Sequence, residues 1–275
     1  MVDDLDVYLF DLRGYLHLKE ALTPEEVADL NACLDAIPSL KPGEWYGHIQ
    51  AHAYGQTDGL NLQQIYEAGE PFEKLIDHPS WIDRVKCFVG GEGTFDYHHG
   101  PLFIDENFAN FRGPGEAIGI HSGGYPPIHR NQFRYHNGRF MCGQINALIA
   151  LTDIGPGDGG TVLIPGSHKS NFKHPHYDQH RMAKGSSAEG IEGAIEVHMK
   201  TGDALLFVDG LSHGSARRVN PGIRRIAVYR YGPSWGNFRF GYQPSPELLC
   251  RLTPERRKIV QPLQPLPREP NLKRE

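Results

Sequence analysis

From about Gly93 onward the chain never stays apolar for long: short apolar runs are cut every few residues by Gly, Pro or Asp. The clearest are 144–151, 160–164, 204–208, 211–216 and 224–231, each the length of a strand and too short for a free-standing helix. Between them lie turn signals: Gly155-Pro156-Gly157-Asp158-Gly159, Thr201-Gly202-Asp203, Asp209-Gly210 and Asn220-Pro221-Gly222. The 32 glycines and 21 prolines among 275 residues fit frequent turns better than a helical bundle. Many short strands with punctuated turns must close on themselves or pack as two sheets, which predicts a mainly β sandwich or barrel of the jelly-roll type. There is no internal repeat, and the polar stretch 169–190 reads as a long surface loop near the barrel mouth.

The first third, residues 1–92, reads as mainly helical. Thr23-Pro24-Glu25-Glu26 carries a capping residue, a first-turn proline and the glutamate of a capping box, and Val27, Leu30, Leu34 and Ile37 follow at helical spacing. A second helical stretch is predicted over 71–88, with Leu75, Ile76, Ile82 and Val85 as its apolar face. The expected organisation is one domain over 1–275: this helical part, a jelly-roll core over 93–240, and a C-terminal extension over 241–275. Its last residues, 262–275, are proline-rich and charged and read as a surface tail, a candidate subunit contact. A chain of this length buries a sizeable core without staples.

Several classes are disfavoured. Net charge is −5 with no basic stripe, so no nucleic-acid partner is expected. No apolar run approaches the roughly 20 residues that span a bilayer, so no membrane partner is expected either. The acidic start MVDDLDVYLF lacks the basic region of a signal peptide. Cys33, Cys87, Cys142 and Cys250 have no metal-ligand spacing and read as buried free thiols. A cytoplasmic location follows as the expectation; oligomeric state stays open.

Four segments carry the chemistry. They are Phe10-Asp11-Leu12-Arg13-Gly14-Tyr15-Leu16; His121-Ser122-Gly123; Asp153 through Gly159-Gly160-Thr161-Val162-Leu163-Ile164-Pro165-Gly166-Ser167-His168-Lys169; and Gly202-Asp203-Ala204-Leu205-Leu206-Phe207 leading to His213-Gly214-Ser215 and Arg224-Arg225. In this order they resemble the phytanoyl-CoA dioxygenase family of non-haem iron(II), 2-oxoglutarate-dependent oxygenases. The resemblance implies a double-stranded β-helix, a cupin-like jelly roll with N-terminal helices packed on it. It implies iron(II) on His121 and His213, 2-oxoglutarate on Arg224, O2 as cosubstrate, and a small-molecule substrate whose C–H bond is hydroxylated or otherwise oxidised.

The residues agree in part. If 213–215 and the strand after Asn220-Pro221-Gly222 form a hairpin, Ser215 lies opposite Arg224 and on the same face as His213. A metal ligand would then stand one step from a hydroxyl and a guanidinium, the partner a carboxylate prefers. Alternation does not choose between Arg224 and Arg225; the family pattern of an arginine followed by a second basic residue selects Arg224. Gln144 and Asn146 alternate with Ile145 and Ala147 in an otherwise buried strand, so their amides need partners. A cosubstrate pocket or neighbouring backbone would supply them.

The sequence departs from the family at its first metal motif. Where an acid is expected two residues after the histidine stands Gly123. Three readings follow: an oxygenase whose gap is filled by water or a distant acid, with Asp96, Asp105 and Asp153 as candidates; a halogenase with chloride in the position vacated at Gly123; or a catalytically inactive jelly-roll binding protein. Among other histidines, His98-His99 are alternatives to His121, and His174, His176 and His180 sit in a polar loop and read as solvated. His168 reads as structural. Tyr125, His129, Arg134 and Tyr135, with Arg130, are the candidate substrate contacts and suggest a polar or anionic small molecule.

Overall fold

A computed structural model describes residues 2–53, 59–90, 100–125, 128–236 and 243–261. Candidates Asp96, His98 and His99 and the tail 262–275 lie outside them.

The fold is mainly β, as the turn-punctuated pattern implies. One sheet has eight strands in the order β1 (Tyr15–Leu18), β12 (Ala204–Val208), β9 (Ile145–Ala150), β14 (Arg224–Pro233), β5 (Leu102–Arg112), β4 (Leu60–Gln63), β3 (Ile49–His52), β2 (Trp45–Tyr46). The other has four, in the order β11 (Ile195–Val197), β10 (Thr161–Leu163), β13 (His213–Ser215), β6 (Ile118–His121), and β7 (Tyr135–His136) pairs with β8 (Arg139–Phe140) as a separate hairpin. All named pairings are antiparallel. From β5 to β6, and again from β9 to β14, the chain passes back and forth between the sheets, the winding of a jelly roll.

That winding overturns one expectation. β13 and β14 form no hairpin: β13 pairs with β10 and β6, whereas β14 lies between β9 and β5. The connection is a crossover pinned by buried Arg218. Its Nη2 donates to Pro221 O at 2.6 Å, its Nε to Gly222 O at 3.2 Å, and its Nη1 to Asp158 Oδ1 at 3.0 Å. Ser215 and Arg224 therefore face each other across the two sheets instead of along one.

The two faces of β14 show how the layers divide. Arg224, Ile226, Val228 and Arg230 line the space between the sheets. Tyr229 and Tyr231 point the other way: their hydroxyls donate to Phe72 O at 2.6 Å and Leu75 O at 2.9 Å, and Trp81 Nε1 donates to Tyr231 Oη at 3.1 Å. On that outer face lies the larger apolar core, including Phe10, Trp81 and Phe88. Helices cover it: α4 (Ile82–Val89) touches β9 and β14, and α7 (Pro254–Val260) touches β5. Between them in the chain lie α5 (Tyr177–His180) and α6 (Pro246–Arg251).

The N-terminal third is less helical than expected. Besides α1 (Asp4–Arg13) and α2 (Pro24–Ala36) it contributes β1 to one edge of the large sheet and β2–β4 to the other. The Thr23 capping box forms as its residues require. The stretch 71–88 is broken into α3 (Glu70–Lys74), a 3-10 turn and α4, because Pro79 excludes His78 from helical geometry, and His78 takes ψ 132. Loop 169–190 leads into the segment that covers the outer face of the small sheet, where Ala188 and Ile191 bury against Ile120, Val162 and Ala216. Among the described residues no helix is long and apolar enough to cross a membrane.

Candidate active site between the two sheets

A cavity of about 190 Å3 lies between the sheets, lined from β5, β9, β12 and β14 on one side and β6, β10 and β13 on the other. Phe108, Leu148, Phe207, Ile226 and Val228 give it an apolar wall. Met182 and Arg130, both solvent-accessible, mark its mouth; Arg112, Arg224 and Ser215, all buried, mark its inner end.

His121 ends β6, His213 begins β13, and the two are register partners with ring centroids 4.1 Å apart. Each presents Nδ1 to a backbone carbonyl two residues earlier: Gly119 O at 3.1 Å and Leu211 O at 2.7 Å. A carbonyl only accepts, so Nδ1 carries the proton and Nε2 keeps the lone pair, the arrangement that orients a metal-binding imidazole. Burial first, and then the neighbouring His213, hold the His121 imidazole well below the ordinary histidine range, so it stays neutral as a ligand must. Two adjacent imidazoles can supply two positions of an iron(II) site of the facial type. Among the described residues no group of three His, Cys, Asp or Glu side chains converges to hold a metal.

Gly123 lies past the end of the strand that carries His121. β6 stops at His121, Ser122 takes a left-handed φ of 61° and Gly123 a φ of 117°, so the alternation that would put residue 123 on the face of His121 ends. A Cβ at Gly123 would point at Ser212 Oγ, 2.8 Å away, and Gly123 lines a surface cleft with Tyr125 and Phe172 instead of the cavity. The remaining acids considered as replacements differ from one another. Asp153 is exposed and spent on Thr201 N and Oγ1, both at 2.9 Å. Asp105 is buried where the pairing of β5 with β14 slips by one residue, between Glu106, opposite Arg230, and Ile104, opposite Tyr231.

At the inner end Arg224 donates through Nη1 to Gly159 O and through Nη2 to Asn110 Oδ1 at 2.9 Å. Its Nε has no acceptor. Burial, then Arg112, then Arg218 weaken the guanidinium's hold on its proton. Arg225, one residue on, faces the helices and pairs with Asp35 at 2.7 Å, which answers the ambiguity left by alternation. Ser215 Oγ lies within the same group, accepting from Arg112 Nη1 at 2.6 Å and from Ile118 N at 2.8 Å.

Gln144 and Asn146 are buried and line no part of the cavity; Asn146 Nδ2 donates to Asp209 Oδ1 at 3.2 Å. Tyr125, His129, Arg134 and Tyr135 are exposed and stand outside it. In their place the mouth holds Arg130, whose Nε donates to buried Asp209 Oδ2 at 2.8 Å, and Arg230, paired with Glu106. Sequence reasoning missed Arg112, Asp209, Glu106 and Arg230. Their signal was present in the period-2 placement of Glu106, Phe108, Asn110 and Arg112 along one strand.

The sequence model of the phytanoyl-CoA dioxygenase family matches residues 10–226. The chain is 30% identical over 194 residues to the dioxygenase cdmD of Talaromyces verruculosus, covering 68% of this chain and 57% of that protein. It is 26% identical to the dioxygenase sphC of Aspergillus fumigatus, covering 81% and 56%. It therefore spans a little over half the length of these fungal relatives. The ectoine dioxygenase of Streptomyces coelicolor is 23% identical, covering 78% of this chain and 73% of that protein. Among solved structures, HygX from Streptomyces hygroscopicus with nickel and 2-oxoglutarate bound superimposes with a TM-score of 0.68 at 21% identity, covering 87% of this chain and 90% of that one. At that identity the likeness establishes the jelly-roll fold.

Proposed function

Because the chain belongs to the phytanoyl-CoA dioxygenase family, we propose that it is an iron(II), 2-oxoglutarate-dependent dioxygenase that hydroxylates or otherwise oxidises a C–H bond of a small molecule. The observation that carries this reading is the placement of His121 and His213, as neighbours, in the same cavity as buried Arg224. His121 and His213 would hold the metal through Nε2. Arg224 and Ser215 would take the far carboxylate of 2-oxoglutarate, because at that end the guanidinium Nε and the hydroxyl hydrogen are donors without a protein acceptor. With cosubstrate bound, the iron supplies the activation of O2 that oxidises the C–H bond. The apolar wall of Phe108, Leu148, Phe207, Ile226 and Val228 excludes water from the reacting end, and Arg130 and Arg230 at the mouth favour a substrate with a polar or anionic group. The family fold and a complete inner end both weigh against an inactive binding protein.

Anaerobic addition of iron(II) and 2-oxoglutarate is expected to give the weak visible band of an iron–oxoacid chelate, and His213→Ala is expected to abolish it. A protein that gives no band with either form has lost the basis of this reading. Halogenation drew its motive from Gly123, and the backbone turns that residue toward Ser212. Chloride is accordingly expected to leave the band unchanged; a chloride-dependent band would restore the halide reading.

A further inference from the structure

α1 carries more apolar surface than its place in the fold uses. Its inward face is spent: Phe10 is fully buried and stacked on Phe88 with ring centroids 3.7 Å apart, and Val7 and Leu9 pack against the same core. On the outer face Leu5, Tyr8 and Leu12 are 62%, 63% and 52% exposed. Their spacing of i, i+3 and i+7 sets them in one stripe along the helix, so they form a patch and not three scattered exposures. Tyr135, also exposed, extends the patch across a surface cleft that it shares with Val7.

The stripe ends in opposite charges. Asp4 stands at its N-terminal end and Arg13 at its C-terminal end; both are exposed, and among the described residues neither has an ion-pair partner. Lys169, held on Asp11 at 2.6 Å, adds a second cation toward the basic end. The pattern is self-complementary when reversed. Leu5 and Leu12 lie equally far from the middle of the helix, and so do Asp4 and Arg13. A two-fold axis through that middle lays Leu5 of one copy against Leu12 of the other, brings the two Tyr8 rings together, and sets each acidic end beside a basic end. The same arrangement opposes the two helix dipoles, whereas parallel pairing would bring like charges together at both ends.

We propose that this face of α1 is a homodimer interface, occupied by a second copy of the chain packed antiparallel across a two-fold axis. Leu5, Tyr8 and Leu12 line no part of the inter-sheet cavity, so the dimer forms without metal or cosubstrate.

The test is sedimentation equilibrium of the full chain over a range of concentrations, with far-ultraviolet circular dichroism as the check on folding. The wild type is expected to dimerise. Tyr8→Glu and Leu12→Glu each place two carboxylates in the apolar centre, one from each copy, and are expected to raise the dissociation constant by roughly 100-fold or more. Asp4→Lys alone and Arg13→Glu alone set like charges together at both ends and are expected to weaken the dimer several-fold, while the two combined restore it. These two positions are exposed, so the charge exchange decides the matter if a stripe variant fails to fold. A wild type that stays monomeric at every concentration overturns the proposal and leaves the stripe to a partner of another kind. A dimer that Tyr8→Glu and Leu12→Glu leave intact, or one that the double exchange fails to restore, overturns it equally.

Discussion

Arg224 and Arg225 differ by one position and by everything around them. Arg224→Leu is expected to weaken 2-oxoglutarate binding by 10-fold or more, since a charge-assisted bond to a carboxylate is worth about 1.5–3 kcal/mol. Arg225→Ala removes a partly exposed pair with Asp35, a hydrogen bond from Nη1 to Asn31 Oδ1 and a contact over Phe111, and is expected to leave that affinity unchanged while costing on the order of 1 kcal/mol of stability. Titration of the two variants side by side checks both statements. Sequence alternation alone left the two arginines equivalent; the difference became visible once β14 was seen to have helices on one face and the cavity on the other. His168 offers a pH test. Burial pulls its pKa down to about 4 from 6.5, while Nε2 bonds Asp11 O at 3.1 Å. Between those values the unfolded chain takes up a proton that the folded chain refuses, so stability falls as pH drops through that window. The loss is on the order of 2 kcal/mol, and His168→Gln is expected to flatten the difference in melting temperature between pH 7 and pH 5. A slope unchanged by the substitution would place the titration elsewhere.

At the scale of elements, the turn that carries Arg130 is seated by the absence of side chains beneath it. A Cβ at Gly210 would lie 2.4 Å from Asn131 O, and one at Gly143 would lie 2.1 Å from His129 O. Gly210→Ala is expected to push the turn off Asp209 and cost about 2–4 kcal/mol, seen as a lower melting temperature together with faster amide exchange over 128–131. The strands legible in the sequence were β9, β12 and β14, whose apolar residues run together, and the shorter β10 and β13, which stand between turn signals. β5, one of the longest strands, went unread because Asp105, Glu106, Asn107, Asn110 and Arg112 interrupt it. All five are buried. A strand whose inner face borders a polar cavity looks like one that faces water. Gly123 is a second case: its direction toward Ser212 follows from the left-handed backbone at Ser122, which residue types alone do not announce.

For the whole molecule, the proposed metal ligands His121 and His213 and the buried Arg224 would be separate holds on one small cosubstrate. Iron(II) and 2-oxoglutarate added together are therefore expected to raise the melting temperature by more than the sum of their separate effects, because each adds to the folded state's affinity for the other. Additive shifts would mean that they bind apart. The two-faced character of β14 has a consequence for change in chain length. Every second residue of this strand serves the cavity and every other one serves the helical layer, so losing a single residue near Ala227 would either send Arg225 inward and Arg224 into the hydrophobic layer, or unhook Tyr229 and Tyr231 from the carbonyls they hold. An extra residue at the exposed Asn137-Gly138 tip of the β7–β8 hairpin disturbs neither layer. Descendants of this chain are thus free to drift in length at that tip, while β14 admits substitution but not a change in count.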